Sequence, residues 1–184
     1  MYINTRQLLN WMVTVTSAIA CLLLTLVPIP GMELFGIGPN WPLIWLVAWS
    51  LRRSLWEAIA AGSAIGLLLD SLTAPDPSHV FPYVGSAVLT VFLSQLVMKN
   101  IQEDFISVAL IVFGMAIWVE LFRALQFGGG NWQTLQTDLA EIWSDRQRIA
   151  LSCALLSSLW APVIYFPLSR WWKFQNSSER SFDN

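Results

Sequence analysis

The chain is predicted to be an all-α integral membrane protein, a bundle of six transmembrane helices with a further helix lying on its outer surface. Three observations predict this. Of 184 residues, 55% are hydrophobic and only 12% charged, about half the charged share of an average soluble domain. The apolar residues are gathered into long uncharged runs, 7–32, 34–51, 80–98, 105–119 and 149–169, instead of amphipathic stripes. Between the second and third runs lies a Gly/Ala-rich stretch with charges only near its ends, Arg53 and Glu57 at one and Asp70 at the other. The expected spans are about 8–30, 39–51, 54–73, 80–98, 105–126 and 149–169, with an interfacial helix over about 132–144, all in one polytopic domain covering 1–184.

The first span is expected to stay in the protein, because it is long, lacks a small-residue cleavage pattern and is followed by further spans. The second is short and irregular: Gly36, Gly38, Pro39, Asn40 and Pro42 delay regular helix until about 39–41, which leaves a five-span count open. Trp41, Trp45 and Trp49 share one face of it and read as interfacial anchors and packing residues.

In the third span, twelve uncharged residues separate Glu57 from Asp70, about 18 Å of helix against a hydrocarbon core of about 30 Å. Both carboxylates therefore belong near its ends. Ser54-Leu55-Trp56-Glu57 fits a capping box. Asp70 opposes the negative pole of its own helix and so needs a partner, water or a function. Ala58, Gly62, Gly66 and Asp70 recur every fourth residue, a stripe on which another backbone can pack closely, either within the bundle or from a partner. Glu57 and Asp70 project about 140° apart, so they form no acid/base pair.

The fourth span follows a Pro-rich turn that carries His79, the chain's one histidine, read as a turn residue. The fifth is expected to start after Asp104 as N-cap and bears Glu120 and Arg123 one turn apart. Glu120 is sixteen residues past Asp104 and Asp70 sixteen past Ser54, so these charges fall at similar depth. Arg123 is expected to bridge Glu120 within its helix or Asp70 across helices. After Gly128-Gly129-Gly130, the apolar residues Trp132, Leu135, Leu139, Ile142 and Trp143 recur at helical spacing opposite Asp138 and Glu141, an acidic interfacial helix that precedes the last span.

With the N-terminus inside and six spans, Arg6, Arg52, Arg53, Lys99, Arg170, Lys173 and Arg180 face the cytoplasm and Arg123, Arg146 and Arg148 face outward. That asymmetry predicts cytoplasmic N- and C-termini. The net charge of -2 argues against a nucleic-acid partner. Cys21 and Cys153 lie inside spans without metal or redox spacing. No HExxH, GxSxG, GxxxxGK or cysteine-histidine cluster occurs, so the reading is of a non-enzyme with no catalytic residue, cofactor or metal.

The succession WPLIWLVAWSLRR, a Gly/Ala-rich helix ending GLLLDSLTAP, an apolar span, IQEDFISVALIVFGMA and the closing LWAPVIYFPLSRWW resembles the rod shape-determining protein MreD family of bacteria. The resemblance covers nearly the whole chain, and its most specific parts are the Pro-to-Trp-to-Arg-Arg run and GLLLD. It implies a non-catalytic, multi-pass component of the bacterial inner membrane that scaffolds peptidoglycan synthesis during cell elongation and regulates cell shape. The implied partners are an MreC-like bitopic membrane protein and, with it, the RodA glycosyltransferase, a class B penicillin-binding protein and the MreB filament. It also implies a fold resembling the substrate-binding subunits of energy-coupling-factor transporters, so the alternative function is capture of a small molecule for a vitamin transporter. The interaction candidates are Asp70, Glu120, Arg123, Ala58, Gly62, Gly66, Arg52 and Arg53.

Overall fold

The computed structural model describes residues 5–27, 31–34, 36–73, 78–97, 105–128 and 135–180, with side chains for 8–27, 31–34, 36–73, 78–96, 106–126 and 147–171. They form six helices: α1 (Thr5–Leu26), α2 (Trp41–Ser50), α3 (Leu55–Leu72), α4 (Val80–Val97), α5 (Phe105–Gly128) and α6 (Leu135–Arg180). Four of them, α1, α3, α5 and α6, contain stretches long and apolar enough to cross a membrane, and their windows are mostly unburied within the protein. Trp11, Leu96, Ile106 and Leu159 stand well exposed on these and neighbouring faces, an outward apolar surface that suits acyl chains rather than water. The architecture is that of a multi-pass membrane protein.

The second helix departs from expectation. At ten residues α2 is about 15 Å long, half a hydrocarbon core, and every one of its residues is buried. It packs against all five other helices and forms the axis of the bundle. Its sequence WPLIWLVAWS is apolar on every side, as suits a helix surrounded by protein. The three tryptophans are accordingly core residues, not interfacial anchors. Trp41 lies against Trp160 of α6 at 5.6 Å between ring centroids, and Trp45 stacks on Trp49 at 5.8 Å. Indole Nε1 of Trp45 donates to Ser17 Oγ of α1 at 2.9 Å.

Short as it is, α2 has its N-terminal end satisfied. Asn40 caps it by accepting the amide of Leu43 through Oδ1 at 3.2 Å, while the Asn40 amide donates to Ser157 Oγ of α6 at 2.9 Å. Tyr83 of α4, buried, donates its hydroxyl to the same Asn40 Oδ1 at 2.7 Å. Asn40 thus ties α2, α4 and α6 together where lipid offers no hydrogen bonds of its own.

The second correction concerns α6. Leu135–Arg180 is one continuous helix, about 69 Å at 1.5 Å per residue, of which 147–171 is the apolar span. The separate interfacial helix expected at about 132–144 is instead, from Leu135 onward, the leading end of this long rod. Residues 132–134 and the Asp104 cap expected for α5 lie outside the described residues. Within α6 the only helix breakers are Pro162 and Pro167, so nothing in the backbone chemistry interrupts it between 135 and 161.

Candidate functional site

The charges at the ends of α3, α5 and the α3–α4 connection gather around one cleft. Asp70, in the last turn of α3, does not meet Arg123. Its Oδ1 accepts the backbone amide of His79 at 2.7 Å and lies 2.7 Å from His79 Nδ1, and its Oδ2 accepts Ser78 Oγ at 2.8 Å. Ser78 Oγ in turn accepts the amide of Val80 at 3.3 Å. The carboxylate therefore sits at the N-terminus of α4, where exposed amides and the positive dipole end favour an anion. This resolves the apparent conflict of an acid at the C-terminal end of α3: Asp70 serves the next helix. His79, read as a turn residue, is a buried partner of that acid, and its ring meets Tyr83 edge-on at 6.4 Å.

Arg123 pairs within its own helix. Its Nη1 is 3.8 Å from Glu120 Oε1, too long for a hydrogen bond. Its Nε is buried without a hydrogen-bond partner among the described residues. Of the two bridges the sequence left open, the structure shows the intrahelical one, and only as a loose ion pair. Equal depth along two helices does not give equal azimuth, and Asp70 already has three donors.

The cleft these groups border has a volume of about 460 Å³. Asn40, His79, Tyr83, Glu120 and Arg123, with Thr25 and Thr73, supply its polar lining, and Leu69, Val119 and Ile149 part of its apolar wall. Cys153, a free buried thiol, also faces it and lies 3.9 Å from Ser157 Oγ. Among the described residues, no group of three or more His, Cys, Asp or Glu side chains converges as a metal site.

Ala58, Gly62 and Gly66 are buried and form the inner face of α3 against α4. A Cβ on Gly62 would lie 3.0 Å from the carbonyl oxygen of Tyr83, and one on Gly66 would lie 2.5 Å from Val80 Cα. The stripe is thus occupied by the protein's own fourth helix and is not open to a partner. A different side of α3 is open. Because α1 packs chiefly on α2, a groove of about 430 Å³ runs between α1 and α3, with Ala60, Ala61 and Ala64 on one wall and Thr14 and Ala18 on the other. This second small-residue row, Ala60, Ala61 and Ala64 at i, i+1 and i+4, stands in the sequence beside the glycine stripe but was not among the expected interaction residues.

Arg52 and Arg53 lie in the turn between α2 and α3. The Arg53 guanidinium lies over Trp49 at 5.1 Å and its Nη1 is 3.8 Å from Glu57 Oε1. Glu57 also accepts the Ser54 amide at 3.0 Å and the Ser54 hydroxyl at 2.9 Å, the carboxylate half of the expected capping box. Arg53 and Glu57 line the α1–α3 groove at the N-terminal end of α3. Comparison with family models, curated proteins and solved structures finds no match for this chain.

Proposed function

We propose that the chain is a non-catalytic scaffold of the bacterial cell-elongation machinery, an MreD-type inner-membrane protein with both termini in the cytoplasm that receives an MreC-like bitopic partner. The observation that supports this reading most is the α1–α3 groove, an apolar slot whose α3 wall carries Ala60, Ala61 and Ala64 beside the larger Ile65, with Trp45 of α2 also lining it. Between helices in lipid there is no hydrophobic driving force, so association depends on close packing over small residues. A single transmembrane helix is the occupant that such a slot suits. RodA, the class B penicillin-binding protein and the MreB filament would then be reached through that partner.

Ala64→Leu fills the groove while leaving the α3–α4 interface untouched. Expressed in place of the native protein in its source bacterium, it is expected to remain in the membrane at normal level, to lose copurification of the MreC-like protein and to give rounded cells. Normal rods with the partner retained would overturn the groove as the docking surface. Normal rods after deletion of the whole gene would overturn the scaffold reading itself.

A further inference from the structure

We propose that the cleft bordered by α1, α3, α4, α5, α6 and the segment leading into α2 is a binding site for a small zwitterion of the amino-acid or short-peptide class, a property separate from helix docking in the α1–α3 groove. The argument begins with charges that the protein leaves incompletely used. Glu120 and Arg123 have side chains only 13% and 29% exposed, yet stand 3.8 Å apart, beyond hydrogen-bond distance. Arg123 Nε has no hydrogen-bond partner among the described residues. Charged groups at this depth in a membrane protein are costly unless paired or wet, and both of these border the same cleft.

The neutral groups add direction. Asn40 Oδ1 is committed to the Leu43 amide and the Tyr83 hydroxyl, which leaves the Asn40 NH2 as a donor with no hydrogen bond among the described residues. His79 Nδ1 is committed to Asp70, which leaves Nε2 as the ring's second polar atom. A carboxylate placed on the partly exposed Arg123 guanidinium and the Asn40 NH2, and an ammonium beside Glu120, would give each member of the loose pair a hydrogen-bonding partner. The remainder of the ligand would rest on Leu69, Val119 and Ile149. At about 460 Å³ the volume falls within the roughly 300–1,000 Å³ of small-molecule sites.

Charge balance selects the class. One carboxylate, Glu120, and one guanidinium, Arg123, border the cleft, so a plain anion leaves Glu120 unmatched and a plain cation leaves Arg123 unmatched. A zwitterion satisfies both.

The test uses the full-length protein in lipid nanodiscs and a panel of standard amino acids and alanyl dipeptides with apolar second residues, read by thermal shift and calorimetry. At least one member is expected to bind. Its N-acetylated and its C-amidated derivatives should each bind at least tenfold more weakly, a comparison that needs no mutant to fold. Glu120→Gln should reproduce the loss seen on acetylation and Arg123→Gln the loss seen on amidation. No binding across the panel, binding indifferent to both blocking groups, or equal binding of a simple carboxylate such as acetate would each overturn the proposal.

Discussion

Replacing Gly66 by alanine is the sharpest structural perturbation available, because the added atom meets backbone that cannot rotate away. A Cβ there would lie 2.5 Å from Val80 Cα and 2.9 Å from the Val80 amide nitrogen, short of ordinary contact by about 1 Å, and α4 must move by that amount. Overpacking of this kind costs about 1–3 kcal/mol, with the upper end expected where the neighbour is main chain. Opposing it is the helix-propensity gain of Gly→Ala, at most about 1 kcal/mol. Gly114 provides the reference, since a Cβ there meets nothing within 4 Å, so Gly114→Ala reports the propensity gain alone. Gly62, at 3.0 Å from the Tyr83 carbonyl oxygen, falls between. Thermal unfolding of the purified variants should rank Gly114→Ala at or above the parent, Gly62→Ala below it and Gly66→Ala lowest. Displacing Val80 also pulls on His79 and so loosens the hydrogen bonds to Asp70. Equal stability of Gly66→Ala and Gly114→Ala would refute the close α3–α4 packing.

Further outcomes follow from the polar contacts and from α6. A double-mutant cycle between Asp70→Ala and His79→Ala should return a coupling of about 0.5–3 kcal/mol, as for residues in direct contact, whereas the cycle between Asp70→Ala and Arg123→Gln should return close to none; the reverse ranking would restore the cross-helix bridge. Asn40→Ala removes the cap of α2 and the partner of buried Tyr83 together, and should destabilise by more than the roughly 1 kcal/mol of a simple helix cap, with Tyr83→Phe recovering part of the combined loss. Spin labels at Thr137 and Leu159 should lie about 33 Å apart along a continuous helix; about 24 Å would place a right-angle break near 146 and return the interfacial helix. In a background without Cys21 and Cys153, single cysteines at Thr137 and Ser178 should label from opposite sides of the membrane, as a helix crossing once requires, and labelling of both from one side would contradict the topology.

The sequence made the all-helical membrane character of the chain legible because long uncharged runs are a direct consequence of the bilayer as solvent, but not the count: the described residues form six helices, four of them long apolar spans, where six spans and a separate interfacial helix were expected. The third helix, expected at about 54–73 and found at Leu55–Leu72, shows how closely local capping chemistry marks a boundary. The short α2 carried its own signal in an apolar circumference and a ten-residue length, both of which indicate a core helix rather than a span. At α6 an interfacial helix at about 132–144 and a span at 149–169 were expected as separate elements, yet the charges between them, Asp145, Arg146 and Arg148, can end a membrane span without ending a helix; glycine and proline end helices, and the first in α6 is Pro162. The partners of Asp70 were hidden for a different reason. Helix register gives depth but not azimuth, so it placed Arg123 level with Asp70 without facing it, while Ser78 and His79 reach Asp70 by chain return across a short connection. The cleft was not legible at all, since Asn40, Tyr83, Glu120 and Arg123 come together only when α2 is pushed into the centre of the bundle.

The scaffold reading is tested most directly by site-specific photocrosslinking in the native membrane. A photoreactive residue at Ala64, in the α1–α3 groove, is expected to give an adduct with the MreC-like bitopic protein through its transmembrane helix, whereas one at Leu159, exposed on α6, is not. Lipid adducts alone at Ala64, or the same partner captured equally at Leu159, would contradict it.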